Sequence, residues 1–206
     1  SDLNGQSVTG ELTHLPSNVS YDILLERSAF DGKELIAPQE GDYTVVLPAN
    51  EELGEGYPGG HGAGTMGVSS KGDVSVKGYL GDGERITLKA KVTDDGRIQI
   101  YLPLYRSEPE GMIAGEVTFR ELPGLSDVDG VLMWQRPADN GSEIYPDGFM
   151  VEVPMLGAAW REPNDKAGER ALAEVGDGTG NAQLEFVDGS LSPAIPAKLL
   201  NWDEDN

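Results

Sequence analysis

From Asp42 to Arg136 apolar and polar residues alternate in short runs, and the runs are separated by turns built on Gly, Asp and Ser. Side chains on a strand point to opposite faces with a period of two, so each run reads as a β-strand with one buried face. After Gly72, the residues Val74, Val76, Gly78 and Leu80 share one face, and Asp73, Ser75, Lys77 and Tyr79 share the other. The phase is kept beyond the turn Gly81-Asp82-Gly83, where Ile86, Leu88, Ala90 and Val92 point inward and Arg85, Thr87, Lys89 and Lys91 outward. The hairpin signal Thr93-Asp94-Asp95-Gly96 then leads into Ile98, Ile100, Leu102 and Leu104, interleaved with Gln99, Tyr101, Pro103 and Tyr105. A loop from Ser107 to Gly111 reverses the chain into Ile113, Gly115, Val117 and Phe119. Earlier strands come from Tyr43, Val45 and Leu47 and from Gly64, Met66 and Val68, and a later one is Gly130 to Arg136.

This succession predicts an all-β chain: an antiparallel up-and-down meander closing into a small β-barrel, with a β-sandwich as the alternative. Small residues on the inward faces, Gly64, Gly78, Ala90 and Gly115, suit the curved wall of a small barrel. Pro103 has no N–H to give a neighbour, so its strand belongs at an edge or beside a bulge. Residues 41–136 form the central meander. Residues 1–40 supply N-terminal strands expected to pack on the barrel, one with Val8, Gly10 and Leu12 and another with Tyr21, Ile23 and Leu25. Residues 137–206 form a loop-and-strand extension of the same compact unit, with strands near Met150 to Val153 and Ala182 to Val187 and at most one helical turn in Asn164 to Val175. Gly10-Glu11-Leu12-Thr13 echoes Gly115-Glu116-Val117-Thr118, too short a match to establish an internal repeat.

Composition agrees with this class: 28 Gly and 13 Pro among 206 residues leave little room for helix. The formal charge of −21 repels polyanions at long range and argues against nucleic acid and anionic membrane surfaces as partners. No stretch approaches the roughly 20 apolar residues that span a bilayer, and the first residues lack the features of a signal peptide, as expected of a processed chain or a piece of a longer one. With no cysteine, disulfides, thiol catalysis and cysteine-bound metal are excluded.

Candidate chemistry is sparse. Gly54 to Gly59 and Gly62 to Gly67 both match G-x-G-x-x-G, but a turn and a strand follow where a phosphate cradle needs a helix N-terminus. His14 and His61 are far apart and have no spaced partner for zinc. No G-x-S-x-G elbow is present. Calcium is the better-founded cation, at Asp94-Asp95-Gly96 or Asp127-Val128-Asp129-Gly130, although seven Asp-Gly pairs in the chain identify the dipeptide mainly as turn chemistry. No catalytic or metal residue is assigned, and no ligand-binding residue is fixed. The outward Tyr79, Tyr101 and Tyr105 either form a platform for sugar rings or a neighbouring module, or cover the barrel beneath the outer strands.

The motif series Gly41-Asp42-Tyr43-Thr44, Gly62-Ala63-Gly64-Thr65-Met66, Gly78-Tyr79-Leu80-Gly81-Asp82-Gly83, Ile100-Tyr101-Leu102-Pro103-Leu104-Tyr105, Trp134-Gln135-Arg136-Pro137 and Tyr145-Pro146-Asp147-Gly148-Phe149 resembles a β-rich repeat module. Such modules occur in large secreted and surface proteins of Verrucomicrobia, Planctomycetes and related environmental bacteria. The likeness covers about residues 20 to 195; Arg136 and Asp147 stand where the family usually has Lys and Ala. The resemblance implies an extracellular or cell-surface location, a multi-module parent, and a structural corner at Tyr145 to Phe149 with Phe149 as an anchor on the barrel. It carries no catalytic residue. The expected function is therefore a non-enzymatic structural or interaction module, partnered by copies of itself or by neighbouring modules. A carbohydrate-binding module that takes a glycan is the second reading, and a polysaccharide hydrolase with two facing carboxylates is the third.

Overall fold

A computed structural model describes residues 7–14, 19–26, 30–105, 111–139, 142–161, 178–184 and 197–202. The chain divides into two compact units, Ser1–Trp160 and Arg161–Asn206. The described part of the second unit is an antiparallel pair that comes after the main strands, Gly178–Leu184 and Lys198–Trp202.

The first unit holds ten strands: β1 (Ser7–His14), β2 (Val19–Glu26), β3 (Gly41–Leu47), β4 (Gly62–Val68), β5 (Asp73–Tyr79), β6 (Arg85–Lys91), β7 (Arg97–Leu104), β8 (Gly111–Leu122), β9 (Ser126–Arg136) and β10 (Phe149–Trp160). The pair in the second unit is accordingly β11 and β12. β3 to β10 form one antiparallel sheet in the order β6-β5-β4-β3-β10-β9-β8-β7. Each strand follows its chain neighbour around the wall, and β10 returns to pair with β3 from Leu156↔Val46 to Trp160↔Asp42. The result is the expected up-and-down barrel with one unsealed seam. There β6 and β7 share a tight turn and the single bridge Val92↔Ile98, without further pairing.

The buried set follows the alternation. Val45 and Leu47, Met66 and Val68, Val74 and Val76, Ile86 and Leu88, Ile98 and Ile100, Ile113 and Val117, Val128 and Leu132, and Val153 and Met155 fill the lumen with one pair from each wall strand. Eight strands make a barrel whose interior is about as wide as the side chains that fill it. Where β4 and β5 face each other the inward residues are Gly64 and Gly78, partners across the ladder. A Cβ on Gly78 would come within 2.7 Å of the Gly64 Cα, so the two strands approach this closely because both positions lack one.

The eighth wall strand lies in the segment that the sequence assigned to an outer extension. The expected strand near Met150 to Val153 runs on to Trp160, and its inward residues Phe149, Val151, Val153, Met155 and Gly157 complete the ring. Pro154 and Gly157 interrupt the apolar alternation in the sequence, which is why the strand reads short. Pro154 lies on the exposed face, opposite Val131. β1 and β2 form a sheet of their own. The segments Asn164 to Val175 and Glu185 to Val187, where a helical turn and the end of a strand were expected, lie outside the described residues.

Candidate functional site

One rim of the barrel gathers the ends of β3, β5, β7 and β9 with the starts of β4, β6, β8 and β10, and it holds a polar network centred on a buried carboxylate. Asp82, in the turn from β5 to β6, has a fully buried side chain (0% exposed). Its Oδ2 accepts from Arg136 Nη1 at 2.7 Å and from the Tyr105 hydroxyl at 2.6 Å. The same hydroxyl accepts from Trp134 Nε1 at 2.9 Å. The Arg136 guanidinium lies over the Tyr105 ring at 4.9 Å and the Tyr145 ring at 5.0 Å. Phe149 packs edge-on against Trp134 and Tyr145, with centroids 4.9 Å and 5.3 Å away.

Local sequence explains how this network is placed. Tyr105, directly after β7, adopts a left-handed conformation with φ 53, unusual for a residue with a side chain, and its two hydrogen bonds hold it there. Burial, with the Asp82 carboxylate adding to it, pushes the Tyr105 phenol well above its ordinary value. Gly148 at φ 65 closes the Tyr145-Pro146-Asp147-Gly148 turn by donating to the Tyr145 carbonyl, and so delivers Phe149 to the wall. Each group of this network is engaged by another, so it acts as a clasp that joins the β5–β6 turn, β7 and β9 over the seam. Beside it a pocket lined by Leu47, Leu53, Pro58, Trp134 and Val151 has a volume of about 20 Å³, room for about one water.

The outer wall has two contrasting faces. Across β7, β8, β9 and β10 the paired rows are Pro103, Met112, Gln135 and Met150; then Tyr101, Ala114, Met133 and Glu152; then Gln99, Glu116, Val131 and Pro154. This face is mostly apolar, and Tyr101 (64% exposed), Val131 and Met150 stand out into solvent. Unbranched, polarizable Met side chains make such a surface adaptable. On β5 and β6 the outward residues are Asp73, Ser75, Lys77, Tyr79, Arg85, Thr87, Lys89 and Lys91, a largely basic face on a chain of net charge −21. Lys91 pairs with Asp73 at 2.5 Å.

The expected tyrosine platform does not assemble. Tyr79 and Tyr101 are both exposed but sit two strands apart, with β6 between them, and Tyr105 turns inward to the clasp. Sequence reasoning missed the clasp itself. Asp82 reads as a turn residue and Arg136 as a strand end, and nothing local reveals that they meet.

The remaining candidates are placed as follows. His61 Nδ1 accepts from the Ala49 amide at 2.9 Å, and the side chain of His14 lies outside the described residues. Gly54 to Gly59 follow a short 3-10 helix, Glu51–Leu53, and Gly62 to Gly67 are β4 itself, so neither opens onto an α-helix. At the opposite rim Asp95 accepts from Arg97 Nε at 2.6 Å and from the Thr93 hydroxyl at 2.5 Å. Asp129 is held by Arg120 in a two-point pair, with Nε to Oδ1 at 2.6 Å, and Asp127 Oδ2 accepts from the Ala159 amide. The Arg120 guanidinium holds the Asp129 carboxyl below its ordinary value. Asp95, Asp127 and Asp129, named for calcium, are thus bound by donors of the chain, and among the described residues no three acidic or imidazole groups converge as a metal cage would require.

Among the described residues no helix is long and apolar enough to cross a membrane. No protein-family model, curated protein or solved structure matches the chain.

Proposed function

We propose that this barrel is a non-enzymatic structural or interaction module of a bacterial secreted or cell-surface protein, joining copies of itself or neighbouring modules. Its working surfaces are the outer wall and the strand edges at the seam. The observation that carries this reading is the lumen packed with aliphatic side chains from all eight wall strands, beside an outer wall that exposes a mostly apolar face and, among the described residues, two unpaired edges. Exposed edges and apolar faces are the usual places where sheet proteins meet partners. The family resemblance supports the extracellular setting.

Sedimentation of the full chain over a wide concentration range tests the reading. Reversible association is expected, and a monomer at every concentration up to the millimolar range ends the self-assembly part of it.

Tyr101 supports the second reading. It stands on the apolar face beside Ala114 and Met133 as an exposed ring able to stack on a sugar. A glycan array decides it: binding abolished by Tyr101→Ala makes the face a carbohydrate site, and an array without hits removes that reading.

A further inference from the structure

Two parts of the first unit lack a sheet neighbour. Among the described residues β1 and β2 pair only with each other, over eight residues each. A lone two-stranded ribbon is marginal in water. The barrel, for its part, leaves an edge of β6 and an edge of β7 at the seam.

The two edges are not equivalent. The Arg97 carbonyl accepts from Thr93 N across the hairpin, while the Gly96 carbonyl accepts from Phe119 N of β8. Backbone groups alternate in direction along an unbroken antiparallel strand, so the odd-numbered residues of β7 face the seam. Pro103 is one of them and brings no donor there. On β6, Val92 N donates to Gly72 O on the β5 side, so the odd-numbered Arg85, Thr87, Lys89 and Lys91 turn their backbone groups to the seam. Every one of these has its N–H. β6 is therefore the better accepting edge.

The side chains of β6 narrow the choice of partner. Arg85 and Lys89 are exposed, with no carboxylate paired to either among the described residues. Such an edge repels a second copy of itself and attracts an acidic strand. β2 carries Asp22 and Glu26 four positions apart, the spacing of Arg85 and Lys89, and interleaves them with Tyr21, Ile23 and Leu25. Antiparallel pairing with Asp22 opposite Lys89 and Glu26 opposite Arg85 also sets Ile23 opposite Leu88 and Leu25 opposite Ile86. The apolar alternation of β2 then runs in phase with the barrel's inner face.

We infer that β2 of one copy adds to the β6 edge of a second copy in this register. The inference rests on the self-association proposed above and names its contact. Donor and acceptor are different parts of the same chain, so the interface is heterologous and repeats into open chains rather than closing as a dimer.

The full chain has no cysteine, which makes disulfide trapping clean. An Asp22→Cys chain mixed with a Lys89→Cys chain under oxidising conditions is expected to give a linked heterodimer, since directly opposed residues lie within disulfide range. Asp22→Cys mixed with Lys77→Cys, on the strand behind the edge, is expected to give none. In sedimentation, Lys89→Glu should weaken association roughly two- to fivefold, and adding Asp22→Lys to the same chain should restore it. An Asp22→Cys/Lys89→Cys chain that links only within itself overturns the inference in favour of docking on its own barrel. Association indifferent to both positions overturns this contact and leaves self-assembly standing, whereas a chain that never associates removes self-assembly as well.

Discussion

Arg136, the last residue of β9, donates to Asp82 over 2.7 Å although 54 positions separate them in the chain. The acceptor is wholly buried and the donor is 19% exposed. A buried charge stripped of its partner keeps its desolvation cost without the compensating attraction. Arg136→Ala and Asp82→Ala should each destabilise the barrel by about 3–5 kcal/mol. The double variant Asp82→Ala/Arg136→Met should lose less than the two single losses added together. Urea unfolding followed by circular dichroism measures all three.

The Tyr105 phenol sits well above its ordinary value because it is buried beside Asp82. The folded state therefore favours the neutral phenol. Its contribution is complete below the unfolded value of about 10 and is lost as pH rises from there toward the higher folded value. The melting temperature should fall steeply above about pH 10, and the slope should flatten in Tyr105→Phe. The Phe variant should also be less stable at neutral pH by about 1–3 kcal/mol, because the buried Trp134 Nε1 loses its acceptor.

At the other rim the sign is reversed. Arg120 lowers the Asp129 carboxyl, so this pair stabilises the fold above the ordinary carboxylate value of about 3.9, and its contribution is lost as pH falls below that. Arg120→Ala should lower stability slightly at pH 7, since the Arg120 side chain is more than half exposed, and the loss should shrink toward pH 2.5. Guanidinium unfolding at the two pH values separates these outcomes.

Gly78→Val should destabilise by at least about 1–3 kcal/mol, since a side chain there meets Gly64 and the Ala63 carbonyl across the ladder. Thr87→Val, on the exposed outer face of the adjacent strand, should change stability by less than about 0.5 kcal/mol. Circular dichroism melts of the two variants make the comparison.

The wall of the barrel was legible because its strands alternate without a slip in phase from Tyr43 to Phe119, and a period of two has one structural meaning. Pro103 even marked the strand that borders the seam. β10 was only half visible. Pro154 and Gly157 blur its pattern, and the partner of its second ladder, β3, lies far away in the chain. The clasp was invisible for the same kind of reason. Asp82 reads as one more turn residue and Tyr105 as one more outward ring, because the left-handed turn at Tyr105 leaves no trace in the alternation.

β3 forms early in the chain, but one of its two ladders is completed only by β10, with Val46 meeting Leu156 more than a hundred positions later. A ribosome making this protein has therefore exported nearly the whole wall before the ring can shut. During that interval β3 is a bare template, and contacts so distant in sequence form slowly. Refolding should be paced by the β3–β10 closure, and crowded nascent chains should be most vulnerable to tangling just before Trp160 emerges.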